Sequence, residues 1–131
     1  MALRLLTWNV NSIRIRIEQL SVLTARLDPD VVCLQETKVV DARFPHDAVR
    51  LMGYPHIATH GMKGYNGVAI LSRRPLSDVR PVRWLGEDAR HLVATVDGVA
   101  VHSLYVPAGG PVADPEANPK FALKLDFLTH L

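Results

Sequence analysis

With 131 residues, 48% of them apolar, a mean hydropathy of +0.09 and a formal net charge of +2, the chain has the size and balance of one globular domain over residues 1–131. No apolar run is long enough to cross a bilayer, and a single cysteine, Cys33, excludes a disulfide framework and a thiolate metal site. Met1-Ala2-Leu3-Arg4 enters a strand with neither a basic segment nor a long apolar one, so a cytoplasmic protein without a membrane partner is expected.

The first strand is expected over Leu3–Asn9, mostly buried and ending on the polar Asn9. Asn11 and Ser12 offer helix N-caps. From Ile13 onward, Ile13, Ile17, Leu20, Thr24 and Leu27 recur at helical spacing against Arg14, Arg16, Glu18 and Arg26, until Asp28-Pro29-Asp30 stops the helix. Val31-Val32-Cys33-Leu34 follows as a strand buried on both faces, with Cys33 as a small buried hydrophobe. Strand, helix and strand make a right-handed βαβ unit with parallel strands, so Asn9 and Glu36 should emerge at the same sheet edge.

A glutamate just past a buried strand is in most proteins a solvated surface residue. A second strand ending on Asn9 at the same edge changes that reading, because strand carboxyl ends are where open α/β sheets place their chemistry. Two oxygen-bearing side chains there suit a hard divalent cation, Mg²⁺ or Mn²⁺, completed by water and a substrate phosphate. Zinc is not expected, since the six histidines show no metal-ligand spacing; His56 and His60, four apart, fall in extended chain or turn.

Further along, His46–Met52 reads as a short helix closed by Gly53, with a strand around His56–Thr59. The glycine-rich stretch Gly61–Gly67 precedes a buried strand, Val68–Ser72; no helix follows it, which rules out a P-loop and leaves a turn presenting Tyr65 and Asn66. From Lys63 to Arg90 six basic residues stand against three acidic ones, a local bias that suits phosphate contact. Val79–Val82 is a strand, and Asp97-Gly98 joins His91–Val96 to Val99–Tyr105 as an antiparallel hairpin, giving a mixed sheet. A Pro/Gly-rich loop of functional length follows Tyr105. Asn118 and Pro119 cap a last helix with Phe121, Ala122, Leu125 and Leu128 on one face and Leu131 still inside it.

Four motifs, Thr7-Trp8-Asn9-Val10-Asn11-Ser12-Ile13-Arg14, Leu34-Gln35-Glu36-Thr37-Lys38, Gly64–Ser72 and Tyr105-Val106-Pro107, with Asn118-Pro119-Lys120-Phe121-Ala122 behind them, resemble the exonuclease III family of the endonuclease/exonuclease/phosphatase superfamily. The resemblance implies an α/β fold belonging to a four-layer α/β/β/α sandwich of the DNase I-like kind, a mixed sheet flanked by helices. It also implies Mg²⁺-dependent hydrolysis of DNA phosphodiesters, 5′ to abasic sites and at the 3′ ends of duplexes.

Carried over, Glu36 is similar to the family's principal metal carboxylate. Asn9 is similar to its partner, which ligates the metal or orients a neighbouring group, and Tyr105 to the active-site tyrosine. Asn11, Arg90 and Lys120 are weaker candidates for DNA or phosphate contact. Ala108 departs from the Asn or Gln of many relatives. The family's later Gly-Asp-x-Asn segment and its C-terminal Asp-His pair are absent from the 131 residues, and His130 is not that histidine. The expectations are therefore an amino-terminal half of the fold, inactive alone, and self-association through uncovered sheet face. A phosphatase acting on phospholipid or inositol phosphate and a DNA-binding module without cleavage are the alternatives.

Overall fold

The computed structural model describes residues 2–131. Strand β1 (Leu5–Asn9), helix α1 (Ile13–Leu27) and strand β2 (Val31–Gln35) form the expected parallel βαβ unit, with Asn9 beside Gln35 in register. A short 3-10 turn (Asp41–Arg43), α2 (His46–Leu51), β3 (His56–His60) and β4 (Val68–Ser72) follow. These strands make a four-stranded sheet in the order β1-β2-β4-β3, in which β4 is antiparallel to both neighbours.

The hairpin lies elsewhere. Strands β5 (Ser77–Pro81), β6 (His91–Val96) and β7 (Val99–Leu104) form a separate antiparallel sheet, β5-β6-β7, turned at Asp97 (φ 49°) and Gly98 (φ 79°). The four-stranded sheet is mixed as expected, but the hairpin read as part of it belongs to a second sheet lying face to face with the first, which is what the family resemblance implies. Helix α3 (Pro119–Thr129) completes the chain.

Cover on both faces explains why β2 and β4 are apolar up to their last residues, Gln35 and Ser72, and buried at every position. Val32, Leu34, Ala69 and Leu71 pack against α1 and α2 with Ile13, Leu20, Val49 and Tyr54, while Val31, Cys33, Val68 and Ile70 meet Leu92, Ala94, Val96 and Val101 of the second sheet. The valines, leucines and isoleucines of both clusters are worth about 1.5–3 kcal/mol each when fully buried. Burial pushes the Cys33 thiol up to about 11, which keeps it protonated and inert.

Three expectations need correction. Strand β1 is half-open, with Leu5 53% exposed, because β7 lies over β2 and β4 and leaves the inner face of β1 uncovered. Helix α1 buries Ile13, Leu20 and Thr24 as expected, but Leu27 is exposed at its end, where Asp28 (φ 52°) turns the chain out in a left-handed cap. Helix α3 ends at Thr129, before Leu131, and buries Phe127, leaving Leu125 and Leu128 exposed. Its anchor is Trp84, whose ring stands edge-on to Phe127 at 5.1 Å and stacks on His130 at 5.5 Å.

Trp84 also covers His91, which is buried and has Nε2 2.8 Å from Nδ1 of His102. Burial first, then the neighbouring His102 and Arg80, push His91 down to about 4 from its ordinary 6.5. The unfolded chain therefore binds a proton below 6.5 that the folded chain refuses until about 4. The stability that depends on a neutral His91 should be complete above pH 6.5 and fall between there and about pH 4, by up to about 3 kcal/mol. Urea denaturation across that window should show the loss in the wild type and a flatter profile in His91→Gln.

Candidate functional site

Asn9 and Glu36 emerge at one edge because the turns after β1 and β2 are bonded backbone to backbone. The amide of Val10 donates to the Gln35 carbonyl at 2.9 Å, that of Ser12 to Glu36 at 2.8 Å and that of Ile13 to Thr37 at 3.2 Å. The last two satisfy the Ser12 and Ile13 amides at the start of α1 without a side-chain cap. Asn11 (φ 45°) and Ser12 (φ 81°) are left-handed, a conformation in which the Ser12 hydroxyl does not cap, so the expected hydroxyl cap is replaced by backbone.

The Glu36 turn is held equally on its other side. Thr37 donates to the Gly67 carbonyl at 3.1 Å and Lys38 to Asn66 at 2.9 Å; Gly67 in turn donates to Ala89 at 3.0 Å, and Tyr105 to Arg90 at 2.8 Å. Five loops are thereby tied in one belt around the same rim. Glu36 (φ 55°) and Lys38 (φ 56°) lie in the left-handed region, a strained backbone that the belt of bonds holds in place.

Within that belt the side chains converge. Asn9 Nδ2 donates to Glu36 Oε1 at 3.0 Å, and its Oδ1 accepts from the Asn11 amide at 3.3 Å. Lys38 Nζ lies 3.6 Å from Glu36 Oε2 and donates to Asn11 Oδ1. The Asn9 amide first, then the Tyr105 hydroxyl and the Lys38 charge, hold the Glu36 carboxyl below the usual carboxylate range against the opposing effect of burial. Glu36 is accordingly ionised at neutral pH. Tyr105 is shifted the other way, by burial and then by the Glu36 carboxylate, and stays protonated as a donor.

Arg90 is not the surface charge its position suggests. Its guanidinium lies 4.9 Å over the Tyr105 ring, Nη1 donates to the Tyr105 carbonyl at 3.3 Å, and Nε stands 3.0 Å from Asp88 Oδ2, close enough for an ion pair though without hydrogen-bond geometry. The side chain is only 15% exposed, so it steadies the tyrosine. Lys120 differs again. Its backbone amide donates to the Asn118 cap at 3.1 Å, and among the described residues its exposed side chain forms no hydrogen bond or ion pair. Asn118 also donates to the Gly109 and Val112 carbonyls, both at 2.8 Å, which ties the tyrosine loop to the start of α3.

Beside the carboxylate a cleft of about 360 Å³ is lined by Arg14, Lys38, Val39, Val40, Arg43, Lys63 and Gly64. Sequence reading missed this grouping. Lys38, two residues from Glu36, was available as a signal. Arg43 and Lys63 come to one cleft from separate loops, which the Gly61 amide, donating to Asp41 Oδ1 at 2.8 Å, ties together.

The donor set fits a hard cation of low protein demand. Among the described residues no group of three or more His, Cys, Asp or Glu is placed to hold a metal. One ionised carboxylate beside an amide instead suits an ion that keeps several waters and takes further ligands from substrate phosphate. Asn9, with its N–H on Glu36, orients the carboxylate in this arrangement.

The chain belongs to the endonuclease/exonuclease/phosphatase family, whose model matches residues 6–128. Within that family its relatives are exonuclease III-type enzymes and AP endonucleases. It is 37% identical over 78 residues to exodeoxyribonuclease III of Haemophilus influenzae, covering 60% of this chain and 29% of that protein. Among solved structures, a 3′ phosphatase from Neisseria bound to a product DNA hairpin superposes with a TM-score of 0.86 at 38% identity, covering 98% of this chain and 49% of the other. An AP endonuclease from Archaeoglobus fulgidus gives 0.85 at 36% identity, covering 98% and 49%. The chain thus spans about half the length of these structures, and less of the Haemophilus enzyme. Among the described residues no helix is long and apolar enough to cross a membrane.

Proposed function

We propose that the chain carries the metal-binding and phosphate-orienting part of a Mg²⁺-dependent DNA-repair nuclease acting on abasic sites and 3′ ends in the cytoplasm, with Mn²⁺ as a substitute ion. The observation that supports this most is the Asn9–Glu36–Tyr105 group, linked through Lys38 to a basic cleft that Lys38 also lines. Glu36 would hold the ion, and the ion when bound would offset negative charge on the phosphate. Asn9 fixes the carboxylate through its N–H. Tyr105, protonated and braced by Arg90, donates to a phosphate oxygen. Arg14, Lys38, Arg43 and Lys63 receive the backbone on either side.

Residues 1–131 supply no base to activate water among these groups, and the sequence holds no Gly-Asp-x-Asn segment. By themselves they are therefore proposed to bind DNA without cutting it. The sheets support a related proposal: β1 and β7 end their sheets on the same side, with Leu5 and Val99 exposed, an arrangement that invites pairing with a second chain. Concentration-dependent light scattering should show self-association.

Titrating an abasic duplex against an inositol phosphate tests the substrate class. The duplex should bind more tightly, with log K falling against log salt at a slope of about −3 to −4 for four phosphate contacts. Arg43→Ala should reduce that slope by about 1. Preference for the inositol phosphate, or robust cleavage of the duplex by the 131-residue chain, would overturn the reading.

A further inference from the structure

One polar group in the space between the sheets is not used by the arrangement above. Gln35 is buried, and its Nε2 donates both hydrogens, to Thr7 Oγ1 at 3.1 Å and to Ser103 Oγ at 3.2 Å. Ser103, completely buried, donates its own hydroxyl to the Leu34 carbonyl at 2.9 Å. The surrounding layer is apolar, built from Val31, Cys33, Val68, Ile70, Ala94 and Val101. Polar groups in such a place gain little net stability over well-packed hydrocarbon, but they hold direction where apolar faces slide.

The three bonded residues stand just before the three residues of the site. Thr7 precedes Asn9 by two positions on β1, Gln35 at the end of β2 immediately precedes Glu36, and Ser103 near the end of β7 precedes Tyr105 by two. Asn9 and Glu36 belong to the first sheet and Tyr105 follows a strand of the second, so their separation depends on how the two sheets sit against each other. Backbone bonds fix the loops within the rim. The Gln35 and Ser103 side chains are the polar bridge between β2 and β7 beneath it.

We propose that Gln35 and Ser103 are positioning residues, a hydrogen-bonded clamp between the sheets that sets the distance from the Asn9–Glu36 pair to Tyr105. The proposal rests on the reading of those three as the working group, and it concerns geometry that exists before any ion binds. Errors of an ångström in such groups cost far more in reactivity than in stability.

The test compares Ser103→Ala, which removes two bonds of the clamp, with Ser103→Thr, which restores the hydroxyl. Thr7→Val, on the exposed face of β1, removes the bond that aims the Gln35 amide from within the first sheet and covers the case in which Ser103→Ala folds poorly. Three quantities are read: nuclear Overhauser contacts from the Tyr105 ring to the Asn9 and Glu36 side chains in metal-free protein, the Kd for Mn²⁺, and Tm. In Ser103→Ala the contacts should fade and the Mn²⁺ Kd should rise roughly tenfold, as for other residues that support a metal ligand from behind. Ser103→Thr should recover both, and Thr7→Val should show part of the loss. A lowered Tm with contacts unchanged would overturn the clamp. If wild-type protein takes up no Mn²⁺, the metal assignment of Glu36 fails, while the metal-free contacts still decide the clamp.

Discussion

Gly67→Ala is expected to destabilise the protein by about 3 kcal/mol and to loosen the Glu36 turn with it. Two costs add. Gly67 has φ +92°, where an L-residue is strained by about 1–2 kcal/mol, and a Cβ there would lie 2.2 Å from Thr37 Oγ1. Thr37 is only 2% exposed and cannot swing away, so relief requires moving backbone that carries the Thr37–Gly67 and Lys38–Asn66 bonds. Gly64 provides the control: its φ is +82°, but nothing stands within 4 Å of its would-be Cβ, and Gly64→Ala should cost about 1 kcal/mol. Chemical denaturation of both variants checks the difference. Equal losses would mean that the close approach to Thr37 contributes nothing.

Glu36→Gln should weaken divalent-ion binding by more than about a hundredfold while leaving Tm nearly unchanged. The replacement has the same shape, and its amide oxygen still accepts from Asn9 Nδ2. What disappears is the negative charge, the one carboxylate charge in the group. Lys38, 3.6 Å from Oε2 in the wild type, would then face the site unopposed and repel a cation further. Isothermal titration with Mn²⁺ measures this directly, and retention of wild-type affinity would place the ion elsewhere.

What the sequence disclosed, it disclosed through local chemistry. The all-apolar run Val31–Leu34 reads as a strand covered on both faces, and β2 is buried at every position. The helix between two strands imposed a parallel pair, which brought Asn9 to Glu36 at 3.0 Å. Asp97-Gly98 required a tight turn and made one. Asn118-Pro119 capped α3 as the residue types demand.

What stayed hidden depends on partners far along the chain. Trp84 chose Phe127, rather than Leu125 or Leu128, as the buried side of α3, and no periodicity within the helix reveals that. The open face of β1 follows from where the second sheet stops. Arg90 looks like any strand-end arginine until the Tyr105 ring and Asp88 are folded against it. The basic cleft needs Arg43 and Lys63 from separate loops, and the Gln35–Ser103 bridge spans 68 residues.

The proposed chemistry needs two strand tips to hold a divalent ion against phosphate. Adding Mn²⁺ to the protein and recording paramagnetic line broadening by NMR tests that claim most directly. Broadening centred on the Asn9 side-chain amide, Glu36 and Tyr105, and absent from Glu36→Gln, is the predicted result. Broadening centred on any other group, with these resonances unaffected, would contradict it.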